Sequence, residues 1–596
     1  MRRFRLTHAT RSYPKHSAHR VRFFHQETKP YNVAVIGGGI TGLTAAWRLC
    51  QDPKCQKITL YEKSSQLGGW LQSETADVDG GRVVFEYGPR TIRASDPAAL
   101  PMLDLLFSLG MTEQLFLIDR RSPAALNRYI YYPNHLVRMP GPEPNSGPLS
   151  SMWRGLKTLL TEPLFEGAIG AFLKEPIRDA RTDRQDESIG DFVSRRLSPK
   201  MADNLASAVF HGIFAGDIYK LSAQTILGAQ HALEKKHDSV TAGIVENMQE
   251  KKRVVTADHL LATWSVQEQR SLGHFDRLRA VLKSMSVFAL RDGISEIARV
   301  MAKKFQEHSH KIQVVTEADI KAIRREENHD ITISLDKGKN RVTSQTFNRV
   351  IATAPPPELA RLIEAGSTKD SQRPTGTISR LKEHNYAVNV MVVNLYYDAP
   401  NLIPHRGFGY LIPRSVSFDQ NPERGLGVIF GSETSQPQDT APGTKLTVMM
   451  GGHWWDGWAE SDLPSPEEGI RMARSLLKRH LGIEAAPALA RARLQRDAIP
   501  QFTVNHLTRM ASLSRAVRED FDRRLTLAGN WYSMHGVGIN DCVTQGYLAA
   551  TWGVDSTEGV GPLLNTMSDL MEDQAGGIPT SSQRYLMMKY QEIKRA

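Results

Sequence analysis

Cysteine is scarce in this chain: Cys50, Cys55 and Cys542 are the only three among 596 residues. So few exclude a disulfide framework and a cysteine-only metal site. Neither zinc-type spacing nor an HExxH motif occurs, so no metal is expected. No apolar run reaches the roughly 18 residues that a membrane-spanning helix needs. The nearest stretch, Ala387–Tyr397, is interrupted by Asn389 and Asn394 and reads as a buried strand. Extended low complexity and repeats of fixed period are missing too, which excludes repeat architectures. What remains is 40% hydrophobic and 23% charged. That is an ordinary globular balance, long enough for roughly two or three domains.

Acid is nearly missing from the first thirty residues. Arg2, Arg3, Arg5, Arg11, Arg20, Arg22, Lys15 and Lys29 stand against Glu27 alone, a net +7 out of the +11 of the whole chain. The remainder carries only +4, which gives little drive toward a phosphate backbone, so nucleic acid is not an expected partner. Residues 1–30 are Arg-rich, hydroxyl-bearing and without an apolar core. That is the composition of a mitochondrial transit peptide and not of a secretory signal. Cleavage is expected near Arg22–Phe24. A disordered basic tail would have the same composition.

Ordered structure is expected from Tyr31. Asn32–Ile36 reads as a strand, Thr41–Cys50 as a helix stopped by Pro53, and Ile58–Tyr61 as a second strand. Residues 96–280 look mainly helical by the spacing of Leu and Ala, with 235–254 charged and exposed. Ser295–Phe305 reads as a helix; Lys311–Val315, Ile331–Leu335 and Arg349–Ala354 read as strands. Residues 385–400, 407–413, 426–431 and 444–452 suggest an antiparallel sheet. Pro466–Leu481 is predicted helical, with Ser465 as N-cap and Pro466 in the first position. Leu525–Ala528 reads as a short strand, followed by a glycine turn and a helix from about Asn540.

The predicted class is therefore α/β (α+β overall). A discontinuous Rossmann-like cofactor domain would carry an inserted antiparallel-sheet substrate domain and a helical domain. The expected boundaries are 1–30 for the targeting segment and 31–95, 281–356 and 501–560 for the cofactor domain. The helical domain would be 96–220, the substrate domain 221–280 and 357–500, and a tail 561–596.

Gly37, Gly39 and Gly42 supply a GxGxxG pattern. It follows an apolar strand, opens a helix, and is followed by Glu62 at the end of the next strand. Together these conditions make a dinucleotide site. Gly37 permits the tight turn, Gly39 lets backbone N–H groups approach a pyrophosphate, and Gly42 lets the helix pack on the sheet. The helix N-terminus attracts the phosphates, and Glu62 suits a ribose diol. Leu67-Gly68-Gly69-Trp70 and Gly88-Pro89-Arg90-Thr91 follow. Near the other end, Ala528-Gly529-Asn530 precedes Gly536-Val537-Gly538-Ile539-Asn540-Asp541. A helix N-terminus there would favour negative charge on the pyrimidine edge of a reduced flavin. An ordinary Asn-capped helix is the other reading of that segment.

The stretches GGGITG (37–42), LGGW (67–70), FEYGPRTIR (85–93), PAALNR (123–128), FHGIFAGD (210–217), GFGYLIP (407–413), TVMMGG (447–452), IPQFT (499–503) and GVGINDC (536–542) together resemble the protoporphyrinogen oxidase family of the flavin amine-oxidase superfamily. The glycine doublet at 68–69 is where flavin enzymes of this type carry one, which favours FAD over NAD. The chain departs from the family in having Asp292-Gly293 where Gly-Gly is common, in extra residues around Ser533–His535, and in insertions near 235–254, 325–345 and 562–585.

The resemblance implies oxidation of protoporphyrinogen IX to protoporphyrin IX, the penultimate step of haem synthesis, with O2 reoxidising a non-covalent FAD and giving H2O2. It places FAD contacts on Gly37, Gly38, Gly39, Ile40, Thr41, Gly42, Glu62, Trp70, Gly88, Pro89, Arg90, Thr91, Ile320, Asn530, Val537, Gly538 and Ile539. It makes Arg128 the propionate-binding residue, for which a guanidinium fork is suited; a surface arginine is the plainer alternative. It puts Phe408, Gly409, Leu411 and Met449 against the macrocycle, where the alternative is ordinary sheet core. A hydride leaving a methylene bridge for the flavin needs no protein nucleophile, so no catalytic residue is expected. His211 reads as a packed or hydrogen-bonded histidine.

The resemblance also implies a mitochondrial inner-membrane location without a spanning helix, with lipid, ferrochelatase and a second copy of the chain as candidate partners. Ser151–Lys174 carries Trp153, Leu156, Leu159, Leu160, Leu164, Phe165, Ile169 and Phe172 beside Arg154, Lys157 and Lys174. An amphipathic helix of this kind lies in a headgroup layer or packs on a core. An amine oxidase, a carotenoid desaturase and a non-catalytic FAD-binding protein are the competing readings. Cys542 lies after the position that carries a covalent flavin in some amine oxidases.

Overall fold

The computed structural model describes residues 30–557, apart from 96, 144–145, 181–184, 251, 270–271, 337–341, 368–372, 435–437 and 554, together with 585–589. Its organising element is a five-stranded parallel sheet in the order Ile312–Val315, Cys55–Tyr61, Tyr31–Ile36, Arg349–Ala352, Leu525–Leu527. Three distant parts of the chain build it, as a discontinuous cofactor domain requires. Parallel sheets are buried on both faces, and the central strand is. Val33 and Val35 enter one core with the helices Ile40–Cys50, Leu100–Ser108, Glu296–Glu307 and Ile539–Trp552. Ala34 and Ile36 enter the other, with a three-stranded antiparallel sheet (Asp319–Arg325, Ile331–Asp336, Val342–Phe347) and the helices Pro356–Gly366, Thr375–Glu383 and His506–Phe521.

The second large unit is a seven-stranded sheet in the order Leu489–Pro500, Ala387–Tyr397, Thr444–Gly451, Gly425–Phe430, Gly409–Leu411, Tyr129–Tyr131, Leu136–Arg138. The helix Pro466–Leu481 packs on its face through Ala473, Leu476 and Leu477. Ser465 caps that helix, its hydroxyl accepting from the Glu468 N–H, with Pro466 in the first turn; this is the pairing that satisfies an orphan donor.

Three expectations are corrected. Ser151–Lys174 is not one helix. It forms Pro148–Thr161, a tight turn at Pro163–Phe165 and a second helix Ala168–Lys174. Pro163 cannot continue the first helix, and Gly167 turns the chain at φ 75°. Leu164 and Phe165 are buried, whereas the first helix buries no residue. The 235–254 insertion is not simply an exposed charged loop. It belongs to two helices, Gly228–His237 and Val240–Gln249, and the strand Lys252–Thr256, which pairs with Tyr585–Lys589. Residues 221–280 contribute no strand to the seven-stranded sheet; Val266, Leu278 and Leu282 pack instead in the core beside the nucleotide sheet.

Candidate active site

The turn after the Tyr31–Ile36 strand uses each glycine differently. Gly37 has φ 107°, and a Cβ there would lie 2.3 Å from Thr353 Oγ1. A Cβ on Gly42 would lie 2.0 Å from the Gly37 carbonyl oxygen, so only glycine lets the helix sit this close to the strand. A Cβ on Gly39 would meet nothing within 4 Å. Gly39 is the N-cap of the Ile40–Cys50 helix, and no side chain caps it. The open side of Gly39, facing the first turn with its N–H groups and the positive end of the dipole, fits a pyrophosphate. Glu62 closes one flank. Its carboxylate accepts from the Gly38 N–H at 2.6 Å and from the Ser64 N–H and Oγ at 2.8 and 2.6 Å, which leaves acceptor capacity for a diol.

The second glycine doublet packs against the first. Gly68 N–H donates to the Gly38 carbonyl at 2.8 Å, and Gly68 and Gly69 have φ 124° and 57°. Trp70 is at the surface limit of this segment, and a Cβ on Gly88 would lie 2.0 Å from its carbonyl oxygen. Pro89 and Thr91 are half-buried beside it. Ile320 is buried in the second core, next to Ala318, whose N–H donates to the Glu62 carbonyl.

The helices Ile40–Cys50 and Ile539–Trp552 lie side by side. Cys542 is hydrogen-bonded with Thr41 and with the backbone of Asn530, and burial pushes its thiol up to about 12. A Cβ on Gly546 would lie 2.6 Å from the Thr41 carbonyl, and the Arg48 guanidinium stands over Tyr547. Gly538 is the N-cap of the second helix, again without a side-chain cap. Ile539 is buried, and Val537 packs against the cluster around Phe502. The two uncapped helix starts thus belong to one region, and Asn540 Nδ2 ties the later one to the Arg93 carbonyl at 3.0 Å.

A second wall lies on the seven-stranded sheet. Leu411 pairs with Gly427, and Gly427 pairs with Met449, so the three stand in one row on one face. The Leu411 side chain lies over Gly427, where a Cβ would meet its Cδ2 at 3.1 Å, and against Gly212, so half-buried Leu411 and Met449 present an apolar surface against which a flat ligand could rest. Gly409, with φ 138°, has no room for a Cβ, which would meet the Val428 carbonyl at 2.1 Å. Arg128 immediately precedes the Tyr129–Tyr131 strand, whose Tyr129 pairs with Tyr410. Its guanidinium stacks 4.2 Å from the centre of the Phe408 ring and donates to the Ala124 carbonyl at 2.8 Å. No carboxylate ion-pairs with it among the described residues. Burial lowers its pKa, and the nearby Arg93 lowers it further. A half-buried cation with remaining donors and a second cation beside it favours an anionic ligand.

Sequence reasoning named Arg90 and His211 but passed over Gly427, Glu86, Lys445, Thr447, Gln438 and His453 as site residues. The isolated Gly427 in a strand was a readable signal of close approach; the others carried none. Glu86, Arg90, Lys445, Asn394, Thr447 and Gln438 line a cavity of about 10 Å³, room for about one water. Burial pushes Glu86 up to about 7 against hydrogen bonds from Ser73 and the Ile294 N–H, and pushes Arg90 down to about 10. Lys445 pairs with Asp439 at 2.7 Å. His211 is buried, with Nδ1 at 2.7 Å from the Ile412 carbonyl and Nε2 at 2.9 Å from His453 Nε2. The carbonyl requires a proton on Nδ1, so Nε2 accepts and His453 donates. Burial holds the two rings down at about 3 and 4.

Residues 40–551 match the family described as flavin containing amine oxidoreductase. The chain is 34% identical to the protoporphyrinogen oxidase of Schizosaccharomyces pombe, over 87% of this chain and 98% of that one. It is 28% identical to the human protoporphyrinogen oxidase, over 87% and 97%. Among solved structures, a provisionally named protoporphyrinogen oxidase from Exiguobacterium sp. 255-15 has the same fold, with a TM-score of 0.62 and 21% identity over 87% of this chain and 98% of that one.

Proposed function

The chain belongs to the flavin-containing amine oxidoreductases and, among them, to the protoporphyrinogen oxidases, and from that premise we propose how its site works. It is an FAD-dependent oxidase that converts protoporphyrinogen to protoporphyrin in haem biosynthesis. When bound, FAD would supply the two-electron acceptor for the substrate, with O2 as the proposed final oxidant.

Gly38–Thr41 would hold the pyrophosphate at the helix start, and Glu62 would hold the ribose. Ile320 would hold the nucleotide end, Trp70 and Gly88–Thr91 the flavin, and Asn530 with Val537–Ile539 its pyrimidine edge. The Cys542 thiol, pushed up to about 12 by burial, is not a thiolate at neutral pH, which supports a non-covalent flavin. Leu411, Gly427 and Met449 form the floor under the macrocycle, with Phe408 at its rim. Arg128 pairs with a propionate. The observation that carries this reading is the half-buried Arg128 guanidinium without a carboxylate beside that floor. A triad is not needed, and His211, with both ring nitrogens engaged, keeps a structural role.

Leu149, Met152, Trp153, Leu156 and Leu160 are exposed on one helix, and Ile169, Phe172, Leu173 and Ile177 are exposed next to it. So large an exposed apolar surface marks an interaction site, and we assign it to the lipid of the inner mitochondrial membrane. No helix among the described residues is long and apolar enough to cross a membrane. Residues 1–29, within the proposed import signal, lie outside the described residues.

The test compares protoporphyrinogen with its propionate-esterified form. Wild type is expected to prefer the free acid in kcat/KM, and Arg128→Ala to be nearly indifferent. Equal preference in both proteins would remove Arg128 from carboxylate recognition.

A further inference from the structure

The turn Gly536–Asn540 is bracketed by His535 and Asp541, and both are held by consecutive residues of one other element. The helix Ala257–Gln269 begins with Asp258 and His259 in its first turn. Asp258 Oδ2 lies 3.1 Å from His535 Nε2, and His259 Nε2 lies 3.2 Å from Asp541 Oδ1. The carboxylate and the imidazole exchange places between the two pairs. His259 is itself oriented: its Nδ1 lies 2.6 Å from Thr256 Oγ1, at the end of the strand that pairs with Tyr585–Lys589. Asp541 in turn is folded over the turn, since Cβ atoms on Gly536 and Gly538 would lie 2.6 and 3.1 Å from its Oδ2. On the other flank, Ser533 Oγ accepts from the N–H groups of His535 and Gly536 at 3.3 and 3.2 Å.

We infer that Asp258 and His259 are positioning residues that clamp the Gly536–Asn540 turn at both ends and thereby set the affinity and the midpoint potential of the flavin. The inference rests on the reading that this turn closes over the flavin pyrimidine edge. Its physical basis is the carboxylate of Asp541 in the first turn of the Ile539–Trp552 helix. A negative charge there suits the helix dipole but opposes the anionic reduced flavin that the same dipole would stabilise. His259 holds that carboxylate toward itself, its Nε2 lying 3.2 Å from Asp541 Oδ1. Asp258 fixes the opposite end of the turn through His535, one of the residues by which the turn is lengthened.

The test measures FAD binding to apoprotein and the midpoint potential of holoprotein. Asp258→Ala should weaken FAD binding about tenfold, the loss of one charge-assisted hydrogen bond, and Asp258→Glu should restore most of it. His259→Ala should move the potential more negative and Asp541→Asn more positive, with His259→Arg returning toward wild type. A purely structural role would weaken binding in all of these variants and shift both potentials in the same direction, which would overturn the inference. Gly538→Val separates the two levels. If that variant keeps full FAD affinity, the turn is not at the flavin and the underlying reading fails. If it loses FAD while the Asp258 and His259 variants leave affinity and potential unchanged, the clamp alone fails.

Discussion

The proposed nucleotide cradle and the proposed substrate wall both depend on glycine, but in opposite ways. In the cradle, glycine would bring backbone to the ligand: Gly39 opens onto free space, and Gly42 lets the helix close on the Gly37 carbonyl. In the proposed wall, Gly427 makes room for the Leu411 side chain, whose Cδ2 a Cβ would meet at 3.1 Å, and Leu411 and Met449 on neighbouring strands would provide the surface. A site made of backbone is written in consecutive residues. A site made of side chains is written in strand register, which consecutive residues do not display.

The largest expected effect separates two glycines within the cradle. Gly42→Val should destabilise the protein by more than about 4 kcal/mol, since a buried atom would overlap a carbonyl oxygen. Gly39→Val should cost about 1 kcal/mol or less yet purify colourless, because its methyls fill the pyrophosphate space. Thermal unfolding and flavin absorbance distinguish them; a fully yellow Gly39→Val protein would break the distinction between ligand-facing and packing glycines.

The helical region, which belongs to neither site, is a control. Glu175 is buried against Arg196. Burial pushes its carboxyl up, but hydrogen bonds from Ser239, Arg196 and Thr241 outweigh that and hold it at about 2. Glu175→Gln should cost about 3–5 kcal/mol at neutral pH, the usual result of breaking a buried pair, with FAD affinity unchanged. A depressed carboxylate contributes fully above its unfolded value, about 4.3, and loses that contribution as pH falls toward its folded value. The stability gap between wild type and Glu175→Gln should therefore narrow from about pH 5 downward. An equal gap at pH 7 and pH 3 would exclude the charged form as its source.

Arg128→Ala sharpens the comparison from the wall side. One charge-assisted bidentate contact is worth roughly 1.5–3 kcal/mol, so kcat/KM should fall about 10- to 150-fold while FAD stays bound. Lysine should recover only part, because an ammonium cannot make the planar fork. Unchanged kinetics would reduce Arg128 to a partner of the Phe408 ring. The smallest effect on stability is expected from Trp153→Ser with Leu160→Ser. Both side chains are exposed, so the cost should stay within about 0.5 kcal/mol, yet co-sedimentation with cardiolipin-containing vesicles should drop. Undiminished sedimentation would take this helix out of the membrane contact.

Much of this contrast was legible before any coordinates. Gly37, Gly39, Gly42 and Glu62 point to the proposed cradle by spacing, and the Ser465 cap and four of the seven strands of the large sheet read out from local pattern, though not its longest, Leu489–Pro500. The adjacency of Leu411, Gly427 and Met449 did not, because it depends on how strands align. The break at Pro163 was misread because apolar spacing continues through it, although the proline itself was a warning. The helices and strand in the 235–254 insertion were hidden by charge: Glu234 is buried only because Arg195 meets it at 2.5 Å across a sequence distance no window spans. Asp258 and His259 meet their partners the same way.

The most direct measurement is the aerobic appearance of protoporphyrin fluorescence from protoporphyrinogen with purified, FAD-loaded protein. The account predicts porphyrin formation proportional to enzyme, with hydrogen peroxide accumulating alongside and with the colourless Gly39→Val protein inactive. Fully flavinated wild type that forms no porphyrin above the uncatalysed rate would contradict it.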